Sequence, residues 1–239
     1  MDWRDTGFVL TARRHGESAL IVELLTEAHG RHAGLVRGGQ SPKKRALLQP
    51  GNLVAVSWRG RLPEHLGAFE IELLRAHAAG LIDDPDRLAA LSSAAALIAQ
   101  SLPEREPHGD VFAALAALIS ALDSADWAAS YVAWECALLA ALGFALDLTA
   151  CAATGVNDDL AYVSPRSGRA VSRSAGAPYH DKLLPLPGFL WRDAIAGPGD
   201  IAAGLALTEY FLHRHLLEPQ GRTLPEARAR LADRLKRLV

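Results

Sequence analysis

The chain has 239 residues, half of them apolar, so it can bury a full core as one large domain or two modest ones. It has no run of about 18 apolar residues, which argues against a membrane-spanning helix, and its charged start (Met1, Asp2, Trp3, Arg4, Asp5) lacks the apolar stretch of a signal peptide. Two cysteines, Cys136 and Cys151, are too few for a disulfide framework and suit a reducing compartment, so a cytoplasmic protein is expected.

The formal net charge of −2 conceals an asymmetry. Residues 1–80 carry 11 Lys and Arg against 8 Asp and Glu, while the remainder carries 14 against 19. Between Arg31 and Arg61 stand Arg31, Arg37, Lys43, Lys44, Arg45, Arg59 and Arg61, with no acid at all. Such a split is what a nucleic-acid surface on an otherwise ordinary protein produces.

Residues 7–76 alternate with period two, the sign of half-buried strands. Leu20, Val22 and Leu24 share a face, as do Val54, Val56 and Trp58, and Phe69, Ile71 and Leu73 opposite Glu70 and Glu72. Five strands are expected near 7–14, 18–26, 31–38, 52–60 and 67–76. Five short strands leave exposed edges unless the sheet closes, so a small barrel is the economical solution. The longest connection, Gly38 to Pro50, reads as a loop and contains Pro42-Lys43-Lys44-Arg45.

From residue 80 the period becomes helical. Asp84 caps a helix with Pro85 at its first position, and Leu88, Leu91, Ala95, Ile98 and Leu102 mark its buried stripe. Val111, Leu115, Leu118, Ile119 and Leu122 form a second stripe. Trp127, Tyr131, Trp134, Leu138 and Leu142 form a third, ended by Gly143. Residues 144–199 lose periodicity and read as a loop-like insert, with a hairpin around Leu160–Val163 and Arg169–Ser172. Helix returns from Asp200, as N-cap, to about Leu217, and from Pro225 to Val239.

The basic stretch carries the clearest chemistry. Cations on a β barrel can track a phosphate backbone while a ring such as Trp58 stacks on a base. The competing reading is a solvated loop that keeps the protein soluble, and the complete absence of acid favours binding. A metal site is not expected: Cys151-Ala152-Ala153-Thr154 has threonine where a second cysteine of a close pair would stand, His180 is isolated, and His213 and His215 diverge on a helix. Walker, nucleophile-elbow, zinc-protease and dinucleotide motifs are absent, so neither enzyme activity nor a cofactor is expected. The last helix carries Arg228, Arg230, Arg234, Lys236 and Arg237 opposite Leu231, Leu235 and Leu238. Its spacing fits equally a docked helix with a solvated face and a binding surface, either a groove for an acidic, hydrophobic-ended peptide or a second nucleic-acid contact.

The N-terminal text Gly16-Glu17-Ser18-Ala19-Leu20-Ile21-Val22-Glu23-Leu24-Leu25-Thr26, then Gly30-Arg31 through Val36-Arg37-Gly38-Gly39 and Leu48-Gln49-Pro50-Gly51, resembles the bacterial RecO family of DNA repair proteins. The resemblance continues in Leu146-Asp147-Leu148, in Leu160-Ala161-Tyr162-Val163-Ser164-Pro165 with Gly168, and in Leu184-Pro185-Leu186-Pro187, so it covers nearly the whole chain in order. It implies an N-terminal OB-fold, a helical C-terminal domain, binding of single- and double-stranded DNA, and annealing of complementary strands in RecF-type recombinational repair. It also implies RecR and single-strand-binding protein as partners, RecA indirectly, and location at the nucleoid in the cytoplasm. Many members carry a four-cysteine zinc finger in the insert; Thr154 and Val171-Ser172-Arg173-Ser174 depart from that pattern, leaving a degenerate zinc-finger-like region.

The expectation is therefore an α+β multidomain protein, with a five-stranded OB-fold barrel over 1–79 and a helical domain over 80–239 interrupted by the irregular insert 144–199. DNA is expected at Arg31, Arg37, Lys43, Lys44, Arg45, Trp58, Arg59 and Arg61, and a protein partner at Arg228, Arg230, Arg234 and Arg237. The alternative is a protein-binding adaptor that captures an acidic peptide with its helical domain, DNA binding being secondary.

Overall fold

The computed structural model describes residues 1–237. These divide into two compact units, Met1–Ile119 with Pro225–Arg228, and Ser120–Leu224 with the chain from Ala229 onward.

In the first unit, strands β1 (Asp2–His15), β2 (Ala19–Thr26), β3 (Gly30–Val36), β4 (Leu53–Arg59) and β5 (Ala68–Arg75) close into a barrel in the order β1-β2-β3-β5-β4. Four of the five pairings are antiparallel, and β4 pairs with β1. Closure between β3 and β5 is parallel and short, made at Leu35 and Ala68. β1 starts five residues earlier than its apolar alternation predicts. Trp3 turns inward opposite Trp58 while Asp2, Arg4 and Asp5 decorate the strand, so the charges hid a strand whose register is set by β4.

The barrel core contains Val9, Leu20, Val22, Leu24, Val36, Val54, Val56, Trp58 and Phe69, with Trp3, Leu47 and Ile71 packed against it. Gly34 sits opposite Val22 on β3, and a Cβ there would lie 2.5 Å from the Phe69 ring. Phe69 fills the space that a β3 side chain would occupy, next to the Leu35–Ala68 pair that joins β3 to β5. Gly34→Ala is expected to cost about 1–3 kcal/mol through overpacking, read as a lower midpoint in thermal unfolding; an unchanged midpoint would mean that Phe69 is free to swing away.

The connection expected as a loop contains a helix, α1 (Pro42–Leu47). Ser41 is extended at its N-cap and Pro42 occupies the first turn, where its missing N–H costs nothing. Leu48 then plugs the barrel. A single turn, α2 (His77–Gly80), leads to α3 (Pro85–Ser101), capped by the Asp84 carboxylate accepting from the Asp86 and Arg87 N–H groups. Its stripe of Leu91, Ala95, Ile98 and Leu102 is buried as the spacing predicts. α3 packs against β1, and Phe8 meets Phe112 of α4 (Gly109–Ala121) at 5.0 Å between centroids. The compact unit thus reaches beyond residue 79, where the periodicity changes.

The second unit holds α5 (Trp127–Ala141), followed by Gly143 with φ 88°. Residues 144–199 are more ordered than expected: β6 (Leu160–Val163), β7 (Ala170–Ser172) and β8 (Leu184–Pro185) form a sheet in the order β7-β6-β8, and α6 (Arg173–Gly176) follows β7. β6 and β7 pair antiparallel as the hairpin expected around Leu160–Val163 and Arg169–Ser172, whereas β8, two residues long, gives too little alternation to read from sequence. α7 (Pro198–Leu212) begins before Asp200, which is not its N-cap: the Asp200 carboxylate reaches back from the third position to accept from the Gly197 N–H at 3.0 Å. A π-helical turn, His213–Leu217, continues it. α8 (Glu226–Lys236) buries Leu231 and Leu235; Leu238 and the expected end at Val239 lie outside the described residues. Among the described residues, no helix is long and apolar enough to cross a membrane.

Candidate nucleic-acid interface

The barrel register separates the seven cations of the acid-free stretch. Arg37, Lys43, Lys44, Arg45, Arg59 and Arg61 are exposed. Arg31 is not a surface cation: its guanidinium pairs with Glu23 at 2.8 Å and donates from Nε to the Leu102 carbonyl at 2.9 Å, with Glu104 at 3.6 Å. It ties β3 to the end of α3, so its charge is already spent inside the unit. Trp58 turns inward at 2% exposure, and its indole N–H donates to the Leu66 carbonyl at 3.0 Å. Its ring has no free face for a base, because it shares the inward row with Val54 and Val56.

Arg37, Lys44 and Arg59 converge on an open cleft of about 900 Å³, which Arg4 joins from β1. Trp3, Leu47, Phe69, Ile71 and the edge of Trp58 form its apolar floor. The two banks differ in charge. On the β1–β4–β5 bank, Arg4 lies across Ser57 from Glu70, and Arg59 pairs in register with Asp2. On the opposite bank, Arg37 and Lys44 line the cleft, while its two lining carboxylates, Asp2 and Glu70, stand on the first bank. Lys44 donates to the Arg37 carbonyl at 2.6 Å, which fixes α1 to the end of β3. Lys43 and Arg61 lie outside this cleft, and Arg45 lines a second, smaller one with Arg14, Gln40 and Gln49.

Reading for acid-free stretches missed Arg4 and Arg14, because Asp2, Asp5 and Glu17 are their sequence neighbours. Their own segment gives no such signal: pairing of β1 with β4 turns Trp3 in and Arg4 out.

Behind the floor, His32 is buried among Trp3, Trp58 and Phe69, at 5.1, 5.3 and 6.0 Å between ring centroids. Neither of its ring nitrogens has a hydrogen-bond partner among the described residues. Burial, then the charges of Arg105 and His29, push its pKa down to about 4, so the ring is neutral at pH 7. His29 stacks on Trp3 at 4.1 Å and bonds Asp5 at 2.8 Å. Burial would raise the Asp5 carboxyl, but bonds from His29, Ala28 and Thr6 outweigh it and hold the group below its usual range.

The α8 cations do not form one face. Arg228 is fully buried and offers no surface to another protein; it stands three and seven residues before Leu231 and Leu235, on their stripe. Arg234 is half-buried, while Arg230 and Arg237 are exposed. In the insert, Cys151 is buried and its Sγ accepts the Ser172 N–H at 3.2 Å. Burial would raise the thiol, but bonds from Ser172, Thr154 and Ala153 bring its pKa to about 6. Among the described residues, no three His, Cys, Asp or Glu side chains come together as a metal site would need.

Comparison with known proteins covers both parts of the chain. Residues 1–77 match the family model "Recombination protein O N terminal" and residues 82–224 match "Recombination protein O C terminal". The DNA repair protein RecO of Rhodospirillum centenum is 55% identical over 239 residues, covering 99% of this chain and 96% of its own. Those of Rhodospirillum rubrum and Cereibacter sphaeroides are 53% and 50% identical, each across 99% of this chain and 97% and 99% of their own lengths. A basic cleft on a small barrel and family matches along the whole chain converge: this chain belongs to the RecO family of DNA repair proteins.

Proposed function

We propose that the chain is a non-enzymatic recombination mediator that binds single- and double-stranded DNA, anneals complementary strands and helps load RecA onto DNA covered by single-strand-binding protein. The observation that carries this reading is the open barrel cleft, with Arg4, Arg37, Lys44 and Arg59 at its rim and an apolar floor beneath. The closed five-strand barrel supports reading this unit as an OB-fold, in which a cationic groove tracks the backbone. Residues 1–79 are taken as the DNA-binding domain and 80–239 as the helical domain. Cations on the rim neutralise phosphates, which removes repulsion between strands while base edges stay free to pair.

RecR and single-strand-binding protein are the protein partners of this reading. Arg230 and Lys236 of α8, and Arg237 just beyond it, are exposed cations for an acidic segment, with Arg234 half-exposed. The insert is read as a zinc-finger relic in which N–H to sulfur bonds hold Cys151. The expected location is the cytoplasm, at the nucleoid.

The test is annealing of complementary strands coated with single-strand-binding protein, with and without this chain. Acceleration that weakens steeply with salt is the expected result. No acceleration, together with no DNA binding at low salt, would overturn the proposal.

A further inference from the structure

The smaller cleft is unexplained by a single strand on the main one. It holds about 250 Å³ and is lined by Ala12, Arg14, Leu20, Gln40, Arg45, Leu48, Gln49 and Pro50, with two arginines and no carboxylate. Leu48 lines both clefts, so they are neighbours separated by α1 and its C-terminal residue. Consecutive helix positions diverge by about 100°. Lys44 therefore faces the main cleft while Arg45 faces the smaller one. α1 is held firmly between them: Gln40 donates to the Gly16 and Ala19 carbonyls at 3.1 and 3.2 Å, and Lys44 donates to the Arg37 carbonyl.

We propose that the smaller cleft is a second DNA backbone site, so that two strands pass on opposite sides of α1. This rests on the DNA-binding reading above and adds a site to it. A helix with its side chains is about 10–12 Å across, and the major groove of B-DNA, about 12 Å wide, admits one. Clefts one helix apart thus stand at the separation of the two backbones that border a major groove. The crest of α1 between them carries Lys43 and Ala46, both exposed, a flexible cation and a small side chain that allow close approach. Arg4, Arg37, Lys44 and Arg59 hold one backbone; Arg14 and Arg45 hold the other. Two complementary strands so placed face each other across α1 with their charge neutralised on both sides, which is the arrangement annealing requires.

The experiment uses the full chain with Arg14→Ala and Arg45→Ala together, a second variant with both reversed to Glu, and a comparison variant with Arg4→Ala and Arg59→Ala. Affinity for labelled single-stranded and duplex oligonucleotides of the same sequence is titrated against salt, and annealing is timed. Loss of two backbone contacts should lower the duplex salt slope by about 1.8, which is about 60-fold in affinity at 0.1 M salt. Annealing should slow while single-strand affinity stays within about twofold of the parent. The Arg4/Arg59 variant should weaken both DNA forms.

Unchanged duplex affinity and annealing in both the Ala and Glu variants would overturn the second site while leaving the main cleft standing. Equal loss of single-strand and duplex affinity would also overturn it, in favour of one continuous path around α1. If the parent chain bound neither DNA form, the DNA-binding reading itself would fail, which is a different result from either.

Discussion

Replacing Arg4, Arg37, Lys44 and Arg59 together by alanine is expected to lower single-strand affinity by about 10² to 10³-fold at 0.1 M salt. Each neutralised phosphate contributes about 0.7 to the slope of log affinity against log salt for a single strand, so four lost contacts flatten it by about 2.8. If the two curves converge near 1 M salt, that slope difference gives the affinity loss at 0.1 M. The four side chains project from the barrel and rim the cleft, so thermal unfolding should change little. The pair Arg37 and Lys44 should account for more of the loss than Arg4 and Arg59, whose positions face Glu70 and Asp2 across the strands. Titrations of a labelled oligonucleotide at several salt concentrations decide the matter; an unaltered slope would place the DNA elsewhere.

The contrast between Trp58 and the cations shows what could be read from residues alone. Alternation placed Val54, Val56 and Trp58 on one face, and the burial of the two valines settles where Trp58 points. A base-stacking role for it required ignoring that same pattern. Arg228 is similar: its spacing to Leu231 and Leu235 puts it on the apolar stripe, although its charge suggested the outer face. Arg31 is a different case. Its partners Glu23, Leu102 and Glu104 come from another strand and from beyond α3, and only the tertiary fold brings them together. The cleft was legible only in its linear part: composition found Arg37, Lys44 and Arg59, whereas Arg4 needed the β1–β4 register. α1 was masked because six residues rich in Lys and Arg carry no apolar periodicity until Leu47 and Leu48.

His32 is expected to make the barrel sensitive to mild acid. In the unfolded chain the imidazole titrates near 6.5, and in the folded barrel near 4. Above about pH 6.5 it is neutral in both states and exerts no pH effect. As the pH falls from 6.5 towards 4, the unfolded chain binds a proton that the folded barrel refuses, so stability is lost across that window and levels off below it. The shift corresponds to about 3 kcal/mol at most, a large part of the stability of an ordinary domain. The Asp5 carboxyl, held low by His29 and two backbone N–H groups, adds its own loss from the usual carboxylate range downward, where the unfolded chain takes up a proton first. Two features identify His32 as the source: both ring nitrogens lack partners, and Trp3, Trp58 and Phe69 surround the ring. A buried polar group without hydrogen bonds is costly even when neutral, so His32→Leu should be near neutral in stability at pH 7.5. The same variant should remove most of the decline between pH 6.5 and 4. Urea unfolding of both chains at several pH values in that interval provides the comparison. Parallel declines in the two would mean that the acid sensitivity comes from elsewhere, and that the aromatic cluster accepts an imidazolium ion against its rings.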